Sequence, residues 1–373
     1  MNCSDILFDT VNSKQLYQQL WQENKLSFMQ SWAWGEFKSS TNEVVRFKCT
    51  YDQNQSFVVT IFIKNIPILN IKYGYIPKFA TDKILQRLNN DFYRKLGYFT
   101  DNDLNLKFLL FEFNASSTYG YNFSSYMVRQ AKSIQPNETD IILLNAADEE
   151  MLDRMDKGTR YEIRKAVKKG CRVSFVEWTG DEGKDKETVK RFFSIMQSIY
   201  DRTNYVMYGE DYFFRAFTVM GADKMCRILF VQMDGQDIGA MMHYMDVDTV
   251  YEVYGGVNNL GRKVSANYLL KWEAIKHSRK EGYEKFDQWG VAPLVVDSDT
   301  GKRRFKQDHS LYYISKFKSG FGGQYTEFIG QWAYIMKSGW FWVYRFGVWL
   351  NRRYIHIYSF LRKCYLYFRR SSS

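Results

Sequence analysis

The stretch CRILFVQMDGQDIGAMMHYMDVDTVYEVYGG, Cys226 to Gly256, constrains the fold more than any other part of the chain. Its apolar and β-branched runs read as strands, and Asp234-Gly235-Gln236 between them has the chemistry of a tight hairpin turn. Helical patterns lie on either side, KETVKRFFSIMQSIYDRT before and SANYLLKWEAIKHSRKEG after, and a further strand, YEKFDQWG, follows the second. Strands packed by helices, with a hairpin inside, predict an α+β unit.

The first 145 residues repeat this grammar loosely. VVRFKCTY, SFVVTIFIKN, KYGYIP, KFLLFEFN and TDIILLN are short apolar runs separated by turn residues. Beyond them the pattern turns helical, with Asn145 as the predicted cap, acids in the first turns, bases in the last, and Gly170 as the stop before the strand CRVSFVE. The length of 373 residues suits two such units.

The net charge of +11 suggests a polyanionic partner, but it is unevenly spread. Eight of the 52 Lys and Arg, and none of the 41 Asp and Glu, fall in Lys337–Ser373, so residues 1–336 carry only +3. On a helical projection of the tail Arg345, Arg352, His356, Lys363 and Arg370 form one stripe, and Val343, Leu350, Tyr354, Ile357, Leu361, Tyr365 and Phe368 the opposite one. This is the pattern of a basic, aromatic helix lying in an anionic membrane interface, with too many charges to span a bilayer. The N-terminus lacks the basic start and apolar run of a signal peptide, and the five scattered cysteines form no metal-binding spacing. The expectation is a cytoplasmic protein, peripheral on the inner face of the plasma membrane.

Familiar catalytic motifs are missing: no GxSxG, no P-loop, no HExxH, and four histidines isolated in sequence. Two places can hold an anion. The segment KGTRYEIRKAVKKG clusters Lys157, Arg160, Arg164, Lys165, Lys168 and Lys169, and the loop from Gly255 through Gly261 and Arg262 precedes a helix beginning near Ser265. A third stretch, LYYISKFKSGFGG (Leu311–Gly323), sets Lys316 and Lys318 beside Phe317; as local structure it reads as a strand ending in a glycine turn.

A resemblance accumulates along the chain. SFMQSWAWGEFK, YGYIP, SIQPNETDIILL, MDKGTRYEIRKAVKKGCRV, VYEVYGG, ANYLLKWEAIKHSRKEGYEKFDQWGV and FKSGFGGQYTEFIG occur in the order, and over the span, of the FemABX peptidyltransferase family. What this resemblance implies is two tandem GNAT-like acyltransferase domains. Domain 1 would be 1–145 completed by 319–337, domain 2 would be 146–318, and the tail would be 338–373. It implies an aminoacyltransferase that carries an amino acid from aminoacyl-tRNA to the stem-peptide amine of a peptidoglycan precursor, either lipid II or UDP-MurNAc-pentapeptide, with no cofactor and no metal. No long helical insert interrupts domain 2, so the chain is similar to the shorter members, which add the first residue of the bridge.

Carried over residue by residue, the resemblance sets Lys38 and Arg202 on the precursor's pyrophosphate and Tyr205 and Tyr254 along its peptide. Phe317 and Lys318 match the family's Phe-Lys pair near the aminoacyl end and the reacting ester, and Glu112 falls where the family has an acid after a strand. A competing expectation is an acyl-CoA-dependent N-acyltransferase of the cell envelope, supported by the loop before Ser265. Another is a non-catalytic protein that binds membrane or nucleic acid through its tail.

Overall fold

The computed structural model describes residues 6–51, 55–66, 71–117, 120, 121, 123, 126–203, 208–297, 301–347 and 349. The chain opens with β1 (Leu7–Thr10), β2 (Glu43–Tyr51), β3 (Gln55–Ile66), β4 (Ile71–Thr81), β5 (Leu106–Asn114) and β6 (Met127–Arg129). It continues with β7 (Glu138–Leu143), β8 (Arg172–Glu177), β9 (Cys226–Met233), β10 (Gln236–Met245), β11 (Thr249–Val257) and β12 (Lys285–Gly290). A small hairpin follows, β13 (Leu294–Val296) with β14 (Arg303–Phe305), and β15 (Gln324–Glu327) and β16 (Gln331–Ile335) come last.

Among the described residues, one seven-stranded sheet has the order β1-β2-β3-β4-β5-β16-β6 and the other β8-β9-β10-β11-β12-β7-β15. The two orders are equivalent. In each, four antiparallel neighbours lead to a parallel pair, β4 with β5 and β11 with β12, joined through the helices Asn90–Leu104 and Ala266–Lys280. The loose repetition in the sequence is therefore a repetition of topology.

Several expectations are corrected. β7 belongs to the second sheet, not with the first 145 residues: its inward Ile142 joins Phe286 in the second unit's core. The segment after 319 is shared, because β15 pairs with β7 while β16 inserts between β5 and β6. The helix predicted from Asn145 to Gly170 is two helices, Asp148–Arg154 and Lys157–Lys168. The break comes at Met155, which turns extended (ψ 152°) to bury its side chain, and the Asp156 N–H bonds the Gly320 carbonyl. Leu311–Gly323 is not a strand: Tyr312–Ser319 is helical, with Ser315 and Lys318 on its buried face. The long run 238–256 folds back at Asp246–Asp248, where the Asp246 carboxylate accepts from the N–H groups of Asp248 and Thr249.

The core is continuous between the units. Phe28 of the first lies 5.2 Å from the ring of Tyr244 and 4.9 Å from that of Tyr251, both in the second. Most of the amphipathic tail, residues 350–373 with the stripe from Arg352 to Arg370, lies outside the described residues. Its start at 338–347 is helical. It is pinned by buried Phe341, whose ring packs 5.4 Å from that of Phe108.

Candidate active site

The helix Trp32–Lys38 starts at Ser31, whose hydroxyl accepts the Trp34 N–H at 3.0 Å, and buries Trp34 and Phe37. Its last carbonyls, of Glu36 and Phe37, accept from Arg215 at 2.7 and 3.0 Å. Arg215 comes from the helix Glu210–Ala222 of the second unit, so the two units together fix the helix end that carries Lys38.

The half-buried Lys38 ammonium donates to the Tyr212 hydroxyl at 3.0 Å and lies 4.5–4.7 Å from the ring centres of Phe37, Trp34 and Tyr212. No carboxylate pairs with it among the described residues. Burial, and secondarily the Lys64 cation, push it down to about 8. The Tyr212 hydroxyl lies 3.3 Å from that of Tyr254. These groups face a cleft of about 800 Å³ between the units, whose walls also include Tyr75, Gln135, Arg215 and Trp289. Aromatic walls around a cation lacking a counter-ion suit an anionic ligand with an extended body.

Glu112 does not line this cleft but shapes it. Its buried carboxylate accepts from the Tyr75 hydroxyl and from the N–H groups of Ile134 and Gln135, so it fixes the segment Ile134–Pro136 that forms one wall. Burial raises its pKa despite those bonds. Lys78, also buried and pushed down to about 8 mainly by burial, donates to the Pro136 carbonyl at 3.4 Å.

Behind the cleft the parallel pair β11–β12 separates. Ladder pairing covers Thr249 to Tyr251 against Lys285 to Asp287 and then stops. Buried side chains bridge the opening. Lys271, from the helix Ala266–Lys280, forms an ion pair with Glu252 of β11 at 3.0 Å and donates to Gln288 of β12 at 2.7 Å. Gln288 donates in turn to Asp140 of β7 at 2.6 Å. Gly323 lets β15 approach here, since a Cβ would fall on the Asp140 carboxylate.

Lys318 belongs to this layer. It is 5 % exposed, it donates to the carbonyls of Gly290 at 2.8 Å and Trp289 at 3.3 Å, and burial and then the Lys271 cation push it down to about 8. Phe317 packs on the other side of the network, with its ring 4.9 Å from that of Tyr268 and 4.7 Å from the Lys271 ammonium. Neither residue is on the cleft wall.

Of the residues singled out in the sequence, Lys38 and Tyr254 thus meet in one cleft, Glu112 supports it, and Phe317 and Lys318 stand behind it. Arg202 is exposed and reaches the Val257 carbonyl and Asn259 at 3.4 Å, at the far end of β11. Tyr205 lies outside the described residues. The helix start near Ser265 already holds an anion: the Ser265 hydroxyl and the Lys165 ammonium both bond Glu162. Arg215, Tyr212, Trp289 and Lys271 were missed. Only Lys271 left a sequence signal, a lone cation within the apolar run YLLKW.

The acetyltransferase (GNAT) domain family matches residues 155–307. A comparison with curated protein sequences finds no match. The crystal structure of FemX is similar to this chain with a TM-score of 0.73 at 15% identity, covering 90% of this chain and 99% of FemX. A conserved protein of unknown function from Bacteroides thetaiotaomicron has a TM-score of 0.52 at 10% identity, covering 88% of this chain and 99% of its own. The paired seven-stranded sheets, each with its parallel junction, are the two tandem units of a GNAT-like fold similar to that of FemX.

Proposed function

We propose that the protein is an aminoacyltransferase that moves an amino acid from aminoacyl-tRNA to the stem-peptide amine of a peptidoglycan precursor. The observation that carries this reading is the Lys38 ammonium, uncompensated by any described carboxylate, in an aromatic cleft between two acyltransferase-fold units. A precursor diphosphate matches the cation, and the peptide matches the Tyr212–Tyr254 wall.

The reaction asks little of a protein nucleophile. The neutral amine attacks the ester carbonyl, the carbon–oxygen bond to the ribose breaks, the amine gives up a proton and the released ribose oxygen takes one. What the chain supplies is orientation, with water excluded by the aromatic walls. Glu112 and Lys78 hold the Ile134–Pro136 wall, and Arg215 holds the helix that presents Lys38.

The GNAT match over 155–307 favours an acyl-CoA donor as a second reading. Against it stands Glu162 at the helix start where a CoA pyrophosphate would need positive charge. The place of work in our reading is the inner membrane surface. Trp340, Trp342 and Phe346 are exposed on the helix from 338, beside Arg345.

The test is transfer of labelled glycine, alanine and serine, each as charged tRNA, to lipid II and to UDP-MurNAc-pentapeptide, with labelled acetyl-CoA alongside. Label passing from one tRNA to one precursor is the expected result; label passing only from CoA would replace the donor.

A further inference from the structure

We propose that Trp289 is a substrate-contacting wall of the cleft and that Lys318 and Asp287 are its positioning residues; this rests on the reading that the cleft takes the precursor. Trp289 has a left-handed backbone, φ +63°, which a bulky side chain adopts where its surroundings over-determine it, often at functional sites. Both of its backbone groups are held. The N–H donates to the Asp287 carboxylate at 2.7 Å, and the carbonyl accepts from the Lys318 ammonium at 3.3 Å. That ammonium also holds the Gly290 carbonyl at 2.8 Å, and Asp287 accepts from the Thr139 hydroxyl. Asp287 and Lys318 are both buried.

Strand pairing yields at the same point. β12 is bulged against β7 between Asp287 and Gly290, and it has no β11 partner past Asp287. Bulges recur beside active sites, where they set the aim of a side chain. Here the half-buried indole lies on the cleft wall, 6.2 Å from the ring of Phe28 and 6.1 Å from that of Tyr251. It offers an apolar face to the sugar or peptide of a ligand whose phosphates meet Lys38. Two of the three Lys318 donors go to these backbone carbonyls, and through them Lys318 holds Trp289 in place.

The experiment measures binding of UDP-MurNAc-pentapeptide to the full chain by calorimetry, for wild type, Trp289→Phe, Lys318→Met and Lys318→Arg. In parallel, acrylamide quenching of the Trp289 emission is isolated by subtracting the Trp289→Phe spectrum in each background. Lys318→Met is expected to weaken the probe on the order of tenfold and to make the Trp289 component more quenchable, with partial rescue by Lys318→Arg. Asp287→Asn, which loosens the same residue from its other side, is expected to move both readouts in the same direction and serves if Lys318→Met does not fold. Unchanged quenching and probe affinity, with loss confined to the transfer rate, would return Lys318 to the reacting ester and overturn the proposal. A wild type that ignores the probe overturns the acceptor reading, and the quenching comparison still decides the clamp.

Discussion

The two parallel junctions of this molecule have the same topology but differ in how far their strands stay paired. β4 follows β5 from Lys72 to Thr81, bending through the left-handed residues Lys78 and Ala80 to do so, and side chains such as Leu109 and Ile61 press against Gly74. β11 leaves β12 after Tyr251, and Glu252, Lys271, Gln288 and Asp140 fill the opening with buried polar groups. A repeated fold thus keeps one junction paired along its length, with Glu112 of β5 accepting from Tyr75 of β4 inside it, and opens the other around a hydrogen-bonded network. The open junction backs the cleft.

The open junction depends most on Lys271, which bridges Glu252 and Gln288. Lys271→Met leaves Glu252 buried beside an apolar chain, and we expect a loss of about 3–5 kcal/mol in denaturant unfolding. Adding Glu252→Leu should recover most of it. A single variant as stable as wild type would mean that the network does not hold the junction.

Lys38→Met should weaken binding of a diphosphate-bearing precursor by roughly 1.5–3 kcal/mol, the worth of a hydrogen bond to a charged group, with little change in stability. The same lysine sets a pH dependence. Because its pKa is depressed to about 8, the cation is present below that pH and is lost as pH rises through it. Precursor affinity measured by titration calorimetry should therefore fall from pH 7 to pH 9.5 in wild type and stay flat in the variant.

At the closed junction, Gly74→Ala brings a Cβ to 2.6 Å from Leu109 and 2.9 Å from Ile61. Overpacking of this kind should cost about 1–3 kcal/mol in chemical unfolding, whereas the same substitution at Gly120, where a Cβ meets nothing within 4 Å, should not. The smallest effect expected is that of Ser31→Ala, which removes the cap of the helix carrying Lys38 and should lower stability by about 1 kcal/mol with a matching fall in thermal midpoint.

Much of the fold was legible in the residues. The Asp234-Gly235-Gln236 turn lies between β9 and β10 as read, with Asp234 and Gly235 both at positive φ, and Gly170 at φ +80° ends its helix. The site was legible only in part. Lys38 and Tyr254 are 216 positions apart and meet because Tyr212 bridges them; no periodicity records such a contact. Lys318 was singled out for its charge, yet its place on the Trp289 and Gly290 carbonyls depends on a kink in another strand.

By itself the sequence determined the local elements, the two-unit α+β grammar and the basic tail, because turn chemistry, apolar period and charge act over a few residues. Tertiary structure decided which strands share a sheet, which junction opens and which charges go unpaired. Those outcomes depend on burial and desolvation, which exist only once distant segments are packed together.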